Sequence, residues 1–313
     1  MIQQSANPRS LSDAENRLCF RLAVFFFLLG AILVPAFAQS AIPDTIEQRT
    51  LACTQCHTRQ GQGAGSAYIP RLAGKPAGYL YNQLVNFRDG RRLNQSMAYM
   101  VDHQSDAYLM EIAQYFFGLH VPYSAPLRSS LSEREMERGR TLVMSGDQAR
   151  HVPACVACHG KNLTGYAPAI PALVGLPHDY LNAQFGNWLN RTRHAAAPDC
   201  MAEILSRLDR SDISAVSAWL AAQNVPKNSE PVSVLPNTLP IQCGSVLNAA
   251  ADVKTAVAAP VQAESTAIAR GAYLARFGGC MACHTARGGK PYAGGRTIPT
   301  AFGTVVSPNI TPD

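Results

Sequence analysis

A run of basic residues interleaved with aromatics is missing from these 313 residues, and the net charge is only +6. Binding to nucleic acid therefore has no support in the sequence. Segments of polar–apolar alternation long enough for a half-buried strand are missing too, which points to an all-α fold. Polar, low-complexity composition is also absent. With 47% hydrophobic residues the chain has an ordinary globular content, so nothing argues for disorder. At roughly 100–200 residues per domain, two domains or three small ones are expected.

Long apolar runs are scarce. The notable example is Leu22–Ala38 (LAVFFFLLGAILVPAFA), preceded by Arg17 and Arg21 and ending in Ala36-Phe37-Ala38. A positive flank, an apolar stretch and an A-x-A site predict a signal peptide over 1–38, cleaved after Ala38. The run is short for a span of about 20 residues and carries Pro35 near its end; an uncleaved membrane anchor is the alternative. Either way the body of the chain is exported, to the periplasm.

Nine cysteines in an exported chain first suggest disulfides. Their spacing says otherwise. Cys53-Thr-Gln-Cys56-His57, Cys155-Val-Ala-Cys158-His159 and Cys280-Met-Ala-Cys283-His284 all read C-x-x-C-H, the attachment pattern of c-type haem. Two thiols on one turn reach the two vinyl groups of one porphyrin, and the adjacent His becomes the proximal iron ligand. At this composition chance supplies about 0.007 copies of the pattern, so three are no accident. Zinc knuckles pair to complete four ligands, and three do not partition evenly. A thioredoxin-type pair needs a strand-then-helix setting, which is absent. The cofactor expected is therefore haem c, with three attachment sites. Of the remaining cysteines, Cys19 leaves with the signal peptide. Cys200 and Cys243 form an even pair expected to be disulfide-bonded, the alternative being two buried thiols.

Two long segments are copies. Pro70–Arg92 (PRLAGKPAGYLYNQLVNFRDGRR) aligns without gaps on Pro171–Arg193 (PALVGLPHDYLNAQFGNWLNRTR), with nine identical positions. An offset near 100 residues is a domain duplication rather than a solenoid repeat. Each copy closes with an amphipathic helix. Ser105 caps one whose Leu109, Ile112, Ala113 and Phe116 share a face, and Asp209 caps one carrying Ile213, Val216 and Leu220. Ser132 and Glu135 make a capping box ahead of the second motif.

Counting eight residues back from each closing cap gives Met97 and Met201, which lie 40 and 42 residues after His57 and His159. A thioether favours reduced iron, so these are the expected distal ligands. Met100 competes in the first copy, but it has no Met counterpart in the second, where Ile204 stands five residues before the cap. Met110, Met136 and Met144 read as helix core or surface residues. His103, His120, His151, His178 and His194 do not repeat between copies and read as surface or core.

On these features residues 42–224 resemble the two-domain dihaem class I cytochromes of bacterial periplasms, the c-four type. The carriers are C-x-x-C-H, P-x-L-x-G-x-P-x-x-Y-L-x-x-Q, the Met, and the closing helix with Tyr115 or Trp219. The resemblance implies cytochrome c domains at 42–122 and 131–224 facing each other across a pseudo-twofold interface. It also implies that the carbonyls of Pro70 and Pro171 hydrogen-bond the proximal imidazoles, fixing the tautomer. One departure is Thr58 after His57, where Gly160 follows His159.

Residues 225–265 carry Pro226, Pro231, Pro236, Pro240 and Pro260 among Ala, Val and Ser. They read as an extended linker, or as a strap over the second domain if Cys200 and Cys243 are bonded. Residues 266–313 resemble the opening of cytochrome domains in the multihaem subunits of membrane-bound alcohol, gluconate and sorbitol dehydrogenases, on the phrases GGKP-x-AGG, IPT-x-FGT and SPNITPD. No Met or His follows His284, and Lys290 is the conceivable substitute ligand. The tail is expected to be the first part of a third cytochrome domain, completed by chain beyond this sequence or by a partner subunit.

The expected function is electron relay from a periplasmic dehydrogenase to a terminal oxidase or a cytochrome acceptor, either as a non-catalytic carrier or as the cytochrome subunit of an oxidoreductase such as an alcohol or gluconate dehydrogenase. Membrane association would come through a partner or an uncleaved N-terminal segment. A haem enzyme or ligand sensor using an open third haem is the alternative, and a purely structural tail is a third reading.

Overall fold

Prolines, caps and apolar stripes mark out the helices of the computed structural model. It describes residues 45–64, 68–126, 129–246, 278–300 and 302–312, with isolated positions between 268 and 275. The expected signal peptide, Cys19 and residues 247–267 lie outside the described residues.

The first lobe contains α1 (Ile46–Arg49), α2 (Leu51–His57), α3 (Ala77–Arg88), α4 (Gln95–Val101) and α5 (Asp106–Phe117). The second contains α6 (Glu133–Met144), α7 (Cys155–His159), α8 (His178–Leu189), α9 (Cys200–Leu205) and α10 (Arg210–Ala221). The lobes repeat one plan. The long helices α3 and α8 start directly after Pro76 and Pro177, which have no N–H to leave unpaired at a helix start. The short helices α4 and α9 are capped by Asn94 and Asp199. The closing helices α5 and α10 are capped by Ser105 and Asp209, and Ser132 with Glu135 forms the capping box of α6.

Each lobe has its own core. In the first, α3 packs on α5, and Leu109, Ile112, Ala113 and Phe116 are buried along one face. In the second, α10 packs on α6 and α8, burying Ile213, Val216 and Leu220. Each Leu, Ile, Val or Phe side chain among these contributes about 1.5–3 kcal/mol on burial. The tightest crossing is at Gly139 of α6, where a Cβ would meet the Ala215 carbonyl at 2.2 Å.

Residues 225–246 are a strap rather than a free linker. Val232 bridges to the second lobe through Gly165 and Ala167, and Cys200 is disulfide-bonded to Cys243 with Cα atoms 5.1 Å apart. Asn82 of the first lobe donates to the Ser245 carbonyl at 2.9 Å.

The all-α expectation describes both lobes. The tail departs from it: after α11 (Cys280–His284) comes an antiparallel hairpin, β1 (Thr297–Thr300) and β2 (Gly303–Val306). Four-residue strands are too short to show alternation in the sequence.

Candidate haem sites

All three C-x-x-C-H motifs form a short helix, α2, α7 or α11, with the His as its last residue. Beyond the His, one device recurs three times. The His carbonyl accepts an N–H from a glycine: Gly63 to His57 at 3.0 Å, Gly165 to His159 at 2.9 Å, and Gly294 to His284 at 2.7 Å. The imidazole Nδ1 then faces a proline carbonyl: His57 to Pro70 at 2.9 Å, His159 to Pro171 at 2.8 Å, and His284 to Pro308 at 2.9 Å. A carbonyl only accepts, so Nδ1 is the protonated nitrogen in each case. Nε2 is left as a lone-pair donor, the form that binds iron.

Glycine is required at the turn. Gly165 has φ +82°, and a Cβ there would lie 2.2 Å from the Ile170 carbonyl oxygen; Gly63 and Gly294 are hemmed in the same way by the chain at Pro70 and Pro308. Pro308 and these glycines escaped the sequence reading. The Gly-to-Pro separation is 7 and 6 positions in the lobes but 14 in the tail, because the β1–β2 hairpin is inserted between Gly294 and Pro308.

Burial distinguishes the lobes from the tail. His57 and His159 are buried, and burial lowers both pKa values despite the opposing proline bonds, so they stay neutral and able to ligate. Burial pushes the Cys53 thiol up to about 11 and the Cys155 thiol up to about 12. A redox-active thiol pair needs the opposite shift, so these cysteines do not suit thiolate chemistry. All six motif cysteines are unpaired with one another.

In the second lobe Cys155, Cys158, His159, Pro171 and Met201 line one cavity of about 1400 Å³, its open mouth included. It is walled by Leu173, Phe185, Val216 and Leu220. Two thiols, an imidazole with a free Nε2, a thioether and apolar walls fit haem c. In the first lobe Cys53 and Met97 pack on the same core, as Cys155 and Met201 do in the second. Met97 lies four residues before the end of α4 and Met201 four before the end of α9. Met100 also packs on the first core, and its counterpart by the same count, Ile204, lines the second-lobe cavity.

In the tail Cys280, Cys283 and His284 come with the proximal loop alone. Cys283 and Lys290 are exposed, and after His284 the described tail contains no Met and no second His; its Met281 lies inside the motif itself. Among the described residues no three His, Cys, Asp or Glu side chains converge as a metal cluster.

Between the lobes lies a polar core that uses the identical positions of the repeat. Arg92 donates to Gln83 at 3.0 Å and to Gln184 at 2.6 Å, while Arg193 donates to Gln184 at 2.7 Å and to Gln83 at 3.1 Å. Arg193 also reaches the Tyr79 hydroxyl at 3.3 Å. Burial alone would raise the Tyr79 phenol, but Arg193, Lys75 and Arg92 around it bring it down to about 8. The repeated Tyr, Gln and Arg are thus interface residues, which is why they recur.

Thr58 shows what the departure from Gly160 does. Both residues end their motif helix at positive φ, +67° and +84°. The loop keeps its shape, and the β-branched residue is strained there.

No protein-family model matches the chain. It is 35% identical over 198 residues to the thiosulfate dehydrogenase electron acceptor of Thiomonas intermedia, covering 62% of this chain and 88% of that one. The structure of reduced cytochrome c4 from Pseudomonas stutzeri superposes with a TM-score of 0.50 at 25% identity, covering 57% of this chain and 97% of that chain. The C-terminal part matches the gluconate 2-dehydrogenase cytochrome c subunit of Pantoea cypripedii, 54% identical over 52 residues, 17% of this chain and 12% of that subunit. Among the described residues no helix is long and apolar enough to cross a membrane. Motifs, duplicated lobes and relatives agree: the chain belongs to the dihaem class I cytochrome c family of cytochrome c4 and the thiosulfate dehydrogenase electron acceptors, haem c proteins of electron transfer.

Proposed function

We propose that this protein is exported to the periplasm, carries haem c at all three C-x-x-C-H motifs, and relays electrons from a periplasmic dehydrogenase to a terminal oxidase or another cytochrome. The observation that carries the reading is the second-lobe cavity, which gathers Cys155, Cys158, His159 and Met201 on apolar walls. Haem c supplies a one-electron iron couple when bound.

The protein's residues do the rest. Cys53 with Cys56, Cys155 with Cys158, and Cys280 with Cys283 tether the group. His57, His159 and His284 ligate through Nε2, and Pro70, Pro171 and Pro308 hold those rings in one tautomer and orientation. Met97 and Met201 complete the coordination in the lobes and favour the reduced state. With a His and a Met to hold the iron, each lobe would leave no position open to substrate, which suits a carrier rather than a catalyst.

Two relatives support a dehydrogenase as the donor: one is named as an electron acceptor of thiosulfate dehydrogenase, and the tail's relative is a subunit of gluconate 2-dehydrogenase. The test is reduction of the purified exported protein by candidate periplasmic dehydrogenases with their substrates, followed by haem absorbance. Full reduction on the time scale of dehydrogenase turnover is expected. A protein that no such enzyme reduces, while a high-spin ferrous third site binds carbon monoxide, would favour a ligand sensor instead.

A further inference from the structure

The tail is seated against α4, the helix that carries Met97. Helix α11 contacts α4. Arg296 pairs with Asp102, which caps the end of α4, at 3.1 Å, and its guanidinium lies 3.8 Å over the ring of Tyr99 on α4. The pair is well covered, with side-chain exposures of 10% for Arg296 and 16% for Asp102. An ion pair shielded in this way, with a ring stacked on the guanidinium, holds orientation better than an exposed one.

From Arg296 the contacts run on to the third motif. Its N–H donates to the Ser307 hydroxyl at 3.1 Å, and its carbonyl accepts the Ser307 N–H at 2.9 Å. Ser307 precedes Pro308, whose carbonyl holds His284. A chain of direct contacts therefore joins the helix of Met97 to the ring of His284. On the opposite side, Arg92 of the first lobe bonds Gln184 of the second, and Arg92 also lines the cleft where Ala286 and Arg296 meet α4.

We propose that Arg296 latches the third motif to the first lobe, making the first site the middle member of a relay ordered second, first, third. An electron crossing between the tail and the second lobe then passes through the first site; one site loses the electron as its neighbour gains it, with no bond made or broken. The proposal rests on reading the three motifs as haem sites.

The test uses the full-length holoprotein and the variants Arg296→Glu, Asp102→Arg and the double exchange. Hydrogen exchange of residues 95–102 is expected to quicken at least tenfold in Arg296→Glu and to return toward the parent in the double variant. In the oxidised protein, electron spin relaxation of the third haem should be enhanced by the first, and Arg296→Glu should abolish that enhancement. Unchanged exchange over 95–102 in Arg296→Glu, or a third haem coupled to the second rather than the first, overturns the proposal. A protein found without haem at the third motif refutes the haem reading of that site, while the exchange measurement still decides the docking.

Discussion

The second lobe and the tail build the same proximal half, a motif helix, a glycine N–H on the His carbonyl and a proline carbonyl on Nδ1. The lobe adds a distal half, with Met201 on a capped helix and α8 and α10 closing the cavity. The difference shows which part of such a site is local. A proximal half needs only one continuous segment, because its bonds run from the His to a glycine and then to a proline 12 to 24 residues further along. A distal half needs a separate layer of helices with its own apolar core, since only burial makes a weak thioether competitive with water as a ligand.

The largest effect expected is from removing the distal half. Met201→Ala should turn the second site into a tail-like one, lowering its potential by on the order of 0.1 V or more, within the roughly 0.8 V that axial ligands command. Met97→Ala should do the same to the first site, and a redox titration monitored by haem absorbance reads both. If Met100→Ala rather than Met97→Ala moves the first potential, the assignment within α4 is reversed.

Removing the proximal half should hurt all three sites alike. Gly165→Ala places a Cβ 2.2 Å from the Ile170 oxygen at a positive φ and should cost at least about 3 kcal/mol in the second lobe. Gly294→Ala should detach His284 from Pro308. Thermal denaturation with haem content measured alongside checks both, and a Gly165→Ala protein of parental stability would break the parallel.

A smaller effect separates the lobes from each other. Asp212 is bonded by Arg138 at 2.8 Å and paired with Arg150 at 2.7 Å, whereas Tyr108 stands at the matching place after the first lobe's cap. Burial alone would raise the Asp212 carboxyl, but Arg138 and Arg150 hold it below its ordinary value of 3.8. The unfolded carboxyl therefore takes up a proton first as pH falls. Its stabilisation is complete above about pH 4 and is lost as pH drops through the folded value. Asp212→Asn should flatten that acid dependence of the second lobe, read from denaturation midpoints across pH 2–6.

The smallest effect lies at Thr58. Thr58→Gly should relieve its positive φ and gain less than about 1 kcal/mol, because glycine's extra freedom in the unfolded chain offsets part of the relief. A loss of stability would mean that the Thr58 hydroxyl, which accepts the Gln62 N–H at 3.1 Å, matters more than the strain.

Local chemistry was readable in the sequence. The caps at Ser105, Ser132 and Asp209 stand where short-range hydrogen bonding puts them, and counting back from two of them reached one Met on each short helix. The even pair of leftover cysteines is the pair the strap brings together. What escaped depends on contacts distant in sequence or on backbone shape. Pro308 was hidden by the hairpin that doubles its distance from the motif, and that hairpin was hidden by its shortness. The repeated Tyr79, Gln83 and Arg92 were visible as identities, but their meeting with Tyr180, Gln184 and Arg193 requires the lobes to be folded and paired. Residues 225–246 read as a linker or, with Cys200 and Cys243 bonded, as a strap over the second lobe; their partners Gly165, Ala167 and Asn82 are seen only in the fold.

The central claim is that three motifs carry haem c although, among the described residues, a distal half accompanies only two. Intact mass of the exported protein, before and after chemical removal of haem, tests it most directly. Three covalent haems are predicted; a protein carrying two, with Cys280 and Cys283 as free thiols or as a disulfide, would contradict it.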